Sequence, residues 1–323
     1  MREDRPDGNR KALFFFCVGE GYDHVSRLVF DKVVELFQPV ELGISLDGYP
    51  VTEYVDDKGD SFCFMRQEML VSYDFRRYLP FLREHFLDLD LAAEVNWHEG
   101  ANAPDRVITV HTVGDVDAGV FTPAVPGYMR NLLHAMEEER ARAGIDDFRV
   151  VTEATHWTGT FKGQDPHLLD RFPVPMLDIE IGSTPSSWED TAAVEVLAKS
   201  LVRAFSSSVK LFNILCVGGI HFERSFSEAA LNTGFPFGVS HILPNQWIVS
   251  GDYASGEGFN KLRNAASSIS GGVDAVAYHE GIKSPFRDQC RRLGEELGVP
   301  VLKHKLLRRP EELVKYAPDS SSR

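Results

Sequence analysis

Val209-Lys210-Leu211-Phe212-Asn213-Ile214-Leu215-Cys216-Val217 is the most apolar strand-like stretch of the chain, and it runs directly into Gly218-Gly219-Ile220-His221. A near-continuous apolar run closed by a turn signal reads as a buried strand. Upstream, Met176 to Ile181 is a second strand, and Ser187 can cap a helix from Trp188 to Phe205 that presents Val194, Leu197, Leu201, Val202 and Phe205 on one face. Downstream come two shorter helices over 224–233 and 257–269, and then a strand from Val273 to Tyr278. A helix follows, started by Ser284-Pro285 and closed by Gly298, with a last strand from Val299 to Leu302. The N-terminal part repeats the rhythm: strand Ala12 to Val18, helix Asp23 to Phe37 stopped by Pro39, strand Val40 to Ser45. Residues 48–66 are less regular and hold the turn signal Asp56-Asp57-Lys58-Gly59-Asp60. Strand Arg106 to Val113, helix Pro126 to Arg142, strand Arg149 to Thr155 and a loop or short helix over Pro166 to Pro175 complete the series.

Strands alternating with helices predict an α/β fold with a mixed or largely parallel central sheet and helices on both faces. One domain over residues 12–310 is the simplest organisation. The loop-like Glu99-Gly100-Ala101-Asn102-Ala103-Pro104-Asp105 marks the alternative, a subdivision near 98–105, and 1–11 and 317–323 read as flexible termini.

The chain has 323 residues, 43% of them hydrophobic, enough for a sizeable core. No apolar run reaches the roughly 18 residues of a membrane span. The charged start Met1-Arg2-Glu3-Asp4-Arg5 and the short apolar run after it do not suit a signal peptide, so a cytoplasmic protein without membrane partners is expected. Cys17, Cys63, Cys216 and Cys290 form no Cys-x-x-Cys pair, which argues for reduced thiols and against a zinc ribbon. The formal net charge of −14 argues against broad, non-specific nucleic-acid binding. Positive charge nevertheless concentrates near the C-terminus. Lys283, Arg287, Arg291, Arg292, Lys303 and Lys305, with Arg308 and Arg309, read either as a solvated face or as contacts to a phosphate backbone.

Four histidines stand where the strands are expected to end: His111 in Ile108-Thr109-Val110-His111-Thr112, His156 in Glu153-Ala154-Thr155-His156, His221 after Gly218-Gly219, and His241 in Val239-Ser240-His241. Leu177-Asp178-Ile179-Glu180-Ile181-Gly182-Ser183 has the same form but ends in a carboxylate. Open α/β sheets bind ligands beyond the carboxyl ends of their strands. Imidazoles and carboxylates gathered there suit acid–base chemistry or a metal, and a Gly-Gly pair can turn backbone N–H groups toward an oxyanion. Gly218-Gly219 belongs to neither a Gly-x-Gly-x-x-Gly nor a P-loop motif. Gly43-Ile44-Ser45, Gly182-Ser183 and Gly238-Val239-Ser240 lack the second glycine of a nucleophile elbow, which leaves a serine hydrolase poorly supported.

Taken together, His111-Thr112-x-Gly114, Glu153-Ala154-Thr155-His156, Glu180-Ile181-Gly182-Ser183 with Trp188, Gly218-Gly219-x-His221 and Gly281-x-Lys283-Ser284 with Arg287 resemble, in this order, the archaeal and plant type of D-aminoacyl-tRNA deacylase over about residues 106–302. The chain resembles a diverged member: it has Trp157-Thr158-Gly159, Ile220, Phe222 and Asp115 where the family pattern differs. The resemblance implies a fold related to phosphorylase and peptidyl-tRNA hydrolase folds. It implies hydrolysis of the ester between a D-amino acid and the terminal ribose of tRNA, aminoacyl-tRNA as partner, and an association with zinc. The sequence itself shows no metal-ligand motif, so no metal ligands are assigned. On this reading His156, His221 and His111 are the catalytic candidates. Thr112, Glu153, Thr155, Glu180, Ser183, Gly218, Gly219 and His241 are the substrate-binding ones, and the basic residues 283–305 are the tRNA contacts. Two alternatives stay open: transfer of the aminoacyl group to a small amine or hydroxylamine acceptor, with Trp157 and Phe222 excluding water, and non-catalytic binding of aminoacyl-tRNA or a nucleoside.

Overall fold

In the computed structural model, which describes residues 9–21, 24–100 and 103–316, the apolar runs become strands. In chain order they are β1 (Lys11–Cys17), β2 (Val40–Leu46), β3 (Tyr49–Val55), β4 (Ser61–Gln67), β5 (Leu91–His98), β6 (Arg106–Thr112), the short β7 (Gly114–Asp115) and β8 (Val120–Phe121), β9 (Arg149–Thr152), β10 (Met176–Ser183), β11 (Phe212–Val217), β12 (Phe237–Leu243), β13 (Ala275–Tyr278) and β14 (Val301–Lys303). They belong to two compact units. The first takes residues up to Val110, Asn131–Val150 and Trp157–Ser206; the second takes His111–Arg130, Val151–His156 and the chain from Ser207 on. The segment near 98–105, the alternative place for a subdivision, falls within the first unit. Neither unit is contiguous in sequence, so no linker composition marks the division.

The first unit is built on an eight-stranded sheet in the order β2-β3-β4-β1-β5-β10-β6-β9. β1 runs parallel to β4 and β5, and β10 parallel to β5, while β2, β3 and β4 pair antiparallel at one edge. The fold is thus mixed α/β with a largely parallel sheet, as expected. Phe14, Phe16 and Phe64 are fully buried in it, and Phe16 meets Phe30 edge-on at 5.4 Å between centroids. The irregular stretch 48–66 holds two strands, β3 and β4, and Asp56 closes the turn between them by accepting from the N–H groups of Lys58 and Asp60. Ser187 does not cap the long helix. Its hydroxyl donates to Asp105 O at the end of a single turn, Pro185–Trp188, and Asp190 caps Thr191–Leu201 by accepting from Ala192 and Ala193.

The second unit holds a four-stranded, fully parallel sheet in the order β12-β11-β13-β14. Strand order reverses at β11, which makes the carboxyl ends of β11 and its neighbours the natural place for a ligand. Leu215, Val217, Leu243, Val276, Phe286, Cys290 and Leu293 share its core. Gly298 ends helix Ser284–Leu297 in the left-handed conformation. The four cysteines are free and buried, and no helix among the described residues is long and apolar enough to cross a membrane.

Candidate functional site

Backbone pairing in the second unit brings three strand exits together. After β9 the segment Glu153–His156 is held on both sides. Gly114 N–H donates to His156 O (3.2 Å), and Val113 and His156 form a parallel bridge. Across from them, Ala154 N–H donates to His221 O and Thr155 N–H to Ile242 O, both at 2.9 Å. The pairing sets His111, at the end of β6, beside His156, and His221, beyond β11, beside Glu153. The rings of His111 and His156 stack at 3.9 Å between centroids with 20° between planes. His156 lies 5.1 Å from His221, and Trp247 packs 5.8 Å from each of these two rings. Trp247 escaped the sequence reading. Its only signal was its position four residues past β12, in the short helix Asn245–Ser250.

The hydrogen bonds fix the state of each ring. Carbonyl oxygens only accept, so His111 Nδ1 donates to Thr112 O (3.0 Å) and His156 Nδ1 to Ala154 O (2.9 Å). In the neutral rings Nε2 then carries the lone pair. Burial, reinforced by the neighbouring His111, holds His156 well below the usual imidazole range, so it is neutral near pH 7. Glu153 is fully buried, which pushes its carboxyl up. The bond with His221 and the three surrounding imidazoles outweigh that and hold it below the ordinary carboxylate range. Its Oε2 meets His221 Nε2 at 2.5 Å, so the ring donates through Nε2 and keeps its basic electron pair on Nδ1. This is the carboxylate–imidazole arrangement of a general base with an orienting acid. Ligand atoms of His111, Glu153 and His156 also lie within 4.8 Å of one another, close enough to share one cation.

Thr112, Thr155 and His241 are buried in a network of their own. His241 Nδ1 lies 3.0 Å from Thr112 Oγ1 and 3.2 Å from Thr155 Oγ1, and its Nε2 lies 2.9 Å from Ser268 Oγ. Ser268 donates to Ala265 O, so it accepts from His241 Nε2–H, and His241 Nδ1 must accept from a threonine. Burial lowers the His241 pKa to about 3. Both threonines are sequence neighbours of the clustered histidines, and the network therefore fixes where His111 and His156 stand. Gly218 and Gly219 have φ of +89° and +83°, and Gly218 N–H is committed to Leu243 O at 2.7 Å. An oxyanion donor from this pair would thus be Gly219.

Glu180 and Ser183 belong to the first unit. Glu180 is buried on β10 opposite Asn96, and Ser183 Oγ lies 2.9 Å from His98 Nδ1. Trp157 is also there, 3% exposed and edge-on to Phe75, and so serves a core rather than a surface that an acceptor could meet. The C-terminal basic residues are partly neutralised: Lys303 and Lys305 both pair with Glu280, Arg291 pairs with Asp288, and Arg292 lies over the Phe259 ring. Lys283 and Arg287 make no ion pair among the described residues. A further triad, Glu223, His279 and His304, sits beyond β11, β13 and β14, with similar ligand-atom separations. There the backbone N–H groups of Gly281 and Glu280 donate to Nδ1 of His279 and His304 (3.1 and 3.2 Å). The protons of the neutral rings are then on Nε2, which does not suit a metal held through that atom.

A carboxylate–imidazole pair beyond the strands of a parallel sheet is an arrangement capable of acid–base chemistry. The sequence profile of the D-aminoacyl-tRNA deacylase family matches residues 85–302, and the chain belongs to that family. A relative from Pyrococcus abyssi, named D-aminoacyl-tRNA deacylase, is 26% identical over 296 residues, covering 87% of this chain and 96% of its own length. One of the same name from Methanoculleus marisnigri is 27% identical over 223 residues, or 67% of this chain and 44% of that relative. The crystal structure titled as a conserved protein of unknown function, AF0625, superposes with a TM-score of 0.72 at 20% identity, covering 94% of this chain and 98% of that one.

Proposed function

We propose that the chain hydrolyses the ester joining a D-amino acid to the terminal ribose of tRNA. The observation that carries this reading is the buried Glu153 carboxylate 2.5 Å from His221 Nε2, beside the stacked His111 and His156. The family membership supports the choice of substrate. His221 Nδ1 takes a proton from water as the water oxygen bonds to the ester carbonyl carbon, and Glu153 stabilises the imidazolium formed. The tetrahedral oxyanion accepts from Gly219 N–H. On collapse the bond to the ribose oxygen breaks, and that oxygen takes the proton back from His221. The products are the free amino acid and tRNA with its terminal hydroxyl restored.

The Thr112–Thr155–His241–Ser268 network keeps His111 and His156 stacked beside the Glu153–His221 pair. The family resemblance implies zinc, and the residues suit it: His111 Nε2, His156 Nε2 and a Glu153 oxygen would hold the ion, with both Nδ1–H groups anchored on carbonyls as zinc-binding imidazoles require. Bound there, zinc would supply Lewis acidity toward a carbonyl or water oxygen. Lys283 and Arg287, without carboxylate partners among the described residues, are the phosphate contacts of this unit.

The test is incubation with matched D- and L-aminoacyl-tRNAs, with and without a small amine, and identification of the products by mass. The reading expects free amino acid from the D-ester and no amide. An amide or hydroxamate as the main product would make the chain a transferase, and intact ester with all substrates would end the enzymatic reading.

A further inference from the structure

The first unit carries a surface that neither the histidine cluster nor the C-terminal basic residues account for. Helix Phe75–His85 exposes Arg76, Pro80 and Arg83 at i, i+4 and i+7, one stripe of the helix. The helix packs against the short 3₁₀ helix Pro166–Arg171, which contributes Arg171. Between them lies an open groove of about 560 Å³, floored by Leu79 and Leu87 and lined by Arg76, Arg83 and Arg171 with a single carboxylate, Glu84.

What sets this groove apart is the clustering of its arginines. The chain carries 48 acidic against 34 basic residues, and several of its arginines are held in ion pairs with those carboxylates. Arg77, next along the same helix, is paired with Asp47 at 2.6 Å and approaches Glu68 at 3.4 Å. Arg140, Arg142, Arg203, Arg263, Arg291, Arg308 and Arg309 are likewise paired. Arg76, Arg83 and Arg171 form no ion pair with a carboxylate among the described residues. Three exposed guanidiniums around one concavity, without a carboxylate partner among the described residues, in a protein otherwise rich in carboxylates, suit a polyanion. Guanidinium forks match phosphate oxygens, and leucine and proline side chains between them can lie against ribose.

We propose that this groove binds the phosphate backbone of an RNA helix, as a second contact surface on the unit that does not hold the Glu153–His221 pair. The choice of RNA rests on the aminoacyl-tRNA reading above; the anionic, phosphate-like chemistry rests on the groove itself. Each phosphate neutralised contributes about 0.9 to the slope of log K against log salt concentration for a duplex. Three arginines therefore carry a slope of about 2–3.

The experiment uses the full chain and deacylated tRNA, with anisotropy titrations from low to moderate KCl. The triple variant Arg76→Glu, Arg83→Glu, Arg171→Glu should bind at least about tenfold more weakly at low salt, with the slope smaller by about 2–3 and the thermal midpoint unchanged. The Arg→Lys triple should keep the slope. Wild-type affinity and slope in the Glu triple would overturn the proposal, as would an acidic peptide that competes at the groove while tRNA does not. Deacylation measured in parallel separates this inference from the functional one. If the wild type releases D-amino acid and the Glu triple keeps its KM, the groove is wrong and the activity stands. If tRNA binding depends on the groove but no amino acid is released, the groove stands and the activity is wrong.

Discussion

Replacing Glu153 by glutamine isolates the charge at the centre of the proposed mechanism. Glutamine has nearly the same volume and still offers a carbonyl oxygen to His221 Nε2–H, so the packing around this fully buried side chain is retained. What is lost is the negative charge. Glu153 is held below the ordinary carboxylate range, so it is ionised throughout the neutral region and opposes the positive charge that forms on His221 when water is deprotonated. A positioned base of this kind contributes about 10²–10⁴ in rate. At 1.36 kcal/mol per decade that corresponds to about 3–5 kcal/mol of transition-state stabilisation. The expected outcome is a fall of 10²–10⁴ in single-turnover release of D-amino acid at pH 7, with KM little changed. Stability carries a second signature. A carboxylate whose folded pKa is depressed contributes stability that is present above its unfolded value and is lost as pH falls toward the folded one. Glu153→Gln should therefore flatten the acid-side loss of stability below about pH 4.5. A folded variant that hydrolyses within threefold of wild type would refute the role given to the Glu153–His221 pair.

Other substitutions test the surrounding structure. His241 titrates at about 3 in the folded chain against 6.5 for the free side chain, so it favours the folded state fully above pH 6.5 and progressively less as pH falls toward 3. Chemical denaturation should show a loss of about 2 kcal/mol from this residue between pH 6.5 and 5, and His241→Asn should remove that share while lowering stability at pH 7 by about 1–3 kcal/mol. Loss of an outer partner alone weakens metal sites about 10–100-fold, so His111→Ala and His156→Ala should each reduce zinc affinity at least that much in equilibrium dialysis, and equal uptake by both variants would place the ion elsewhere. Alanine at Gly218 would occupy a φ of +89° with its Cβ 2.2 Å from Ile282 Cγ2; a thermal melt should report a loss of about 2–4 kcal/mol.

The sequence reading succeeded where one physical signal dominated. β1, β6, β10 and β11 are apolar and covered, so their composition announces them. β5 was missed because Glu94, Asn96 and His98 alternate along it and mimic a solvated segment, although all three are buried. Glu94 accepts from the backbone of Val71 and Ser72, an arrangement that exists only once both segments are folded. Helix Phe75–His85 was hidden by Pro80 inside it. The composition near 98–105 suits a loop within a unit as well as a linker between units. The actual division follows tertiary contacts among discontinuous segments.

The site shows a sharper limit, because two groups of identical composition lie in the same unit. His111, Glu153 and His156 form one, and Glu223, His279 and His304 the other, each with ligand atoms within 4.8 Å. Residue type, distance from a strand end and mutual separation do not distinguish them. The backbone does. Carbonyl oxygens face Nδ1 of His111 and His156, so the lone pairs are on Nε2. Amide hydrogens face Nδ1 of His279 and His304, so the protons are on Nε2. The first pair is ready to accept a cation or proton there, and the second to donate. The difference comes from the polarity of one peptide group beside each ring, set by the local path of the chain: Nε2 offers a lone pair in the first triad and an N–H in the second.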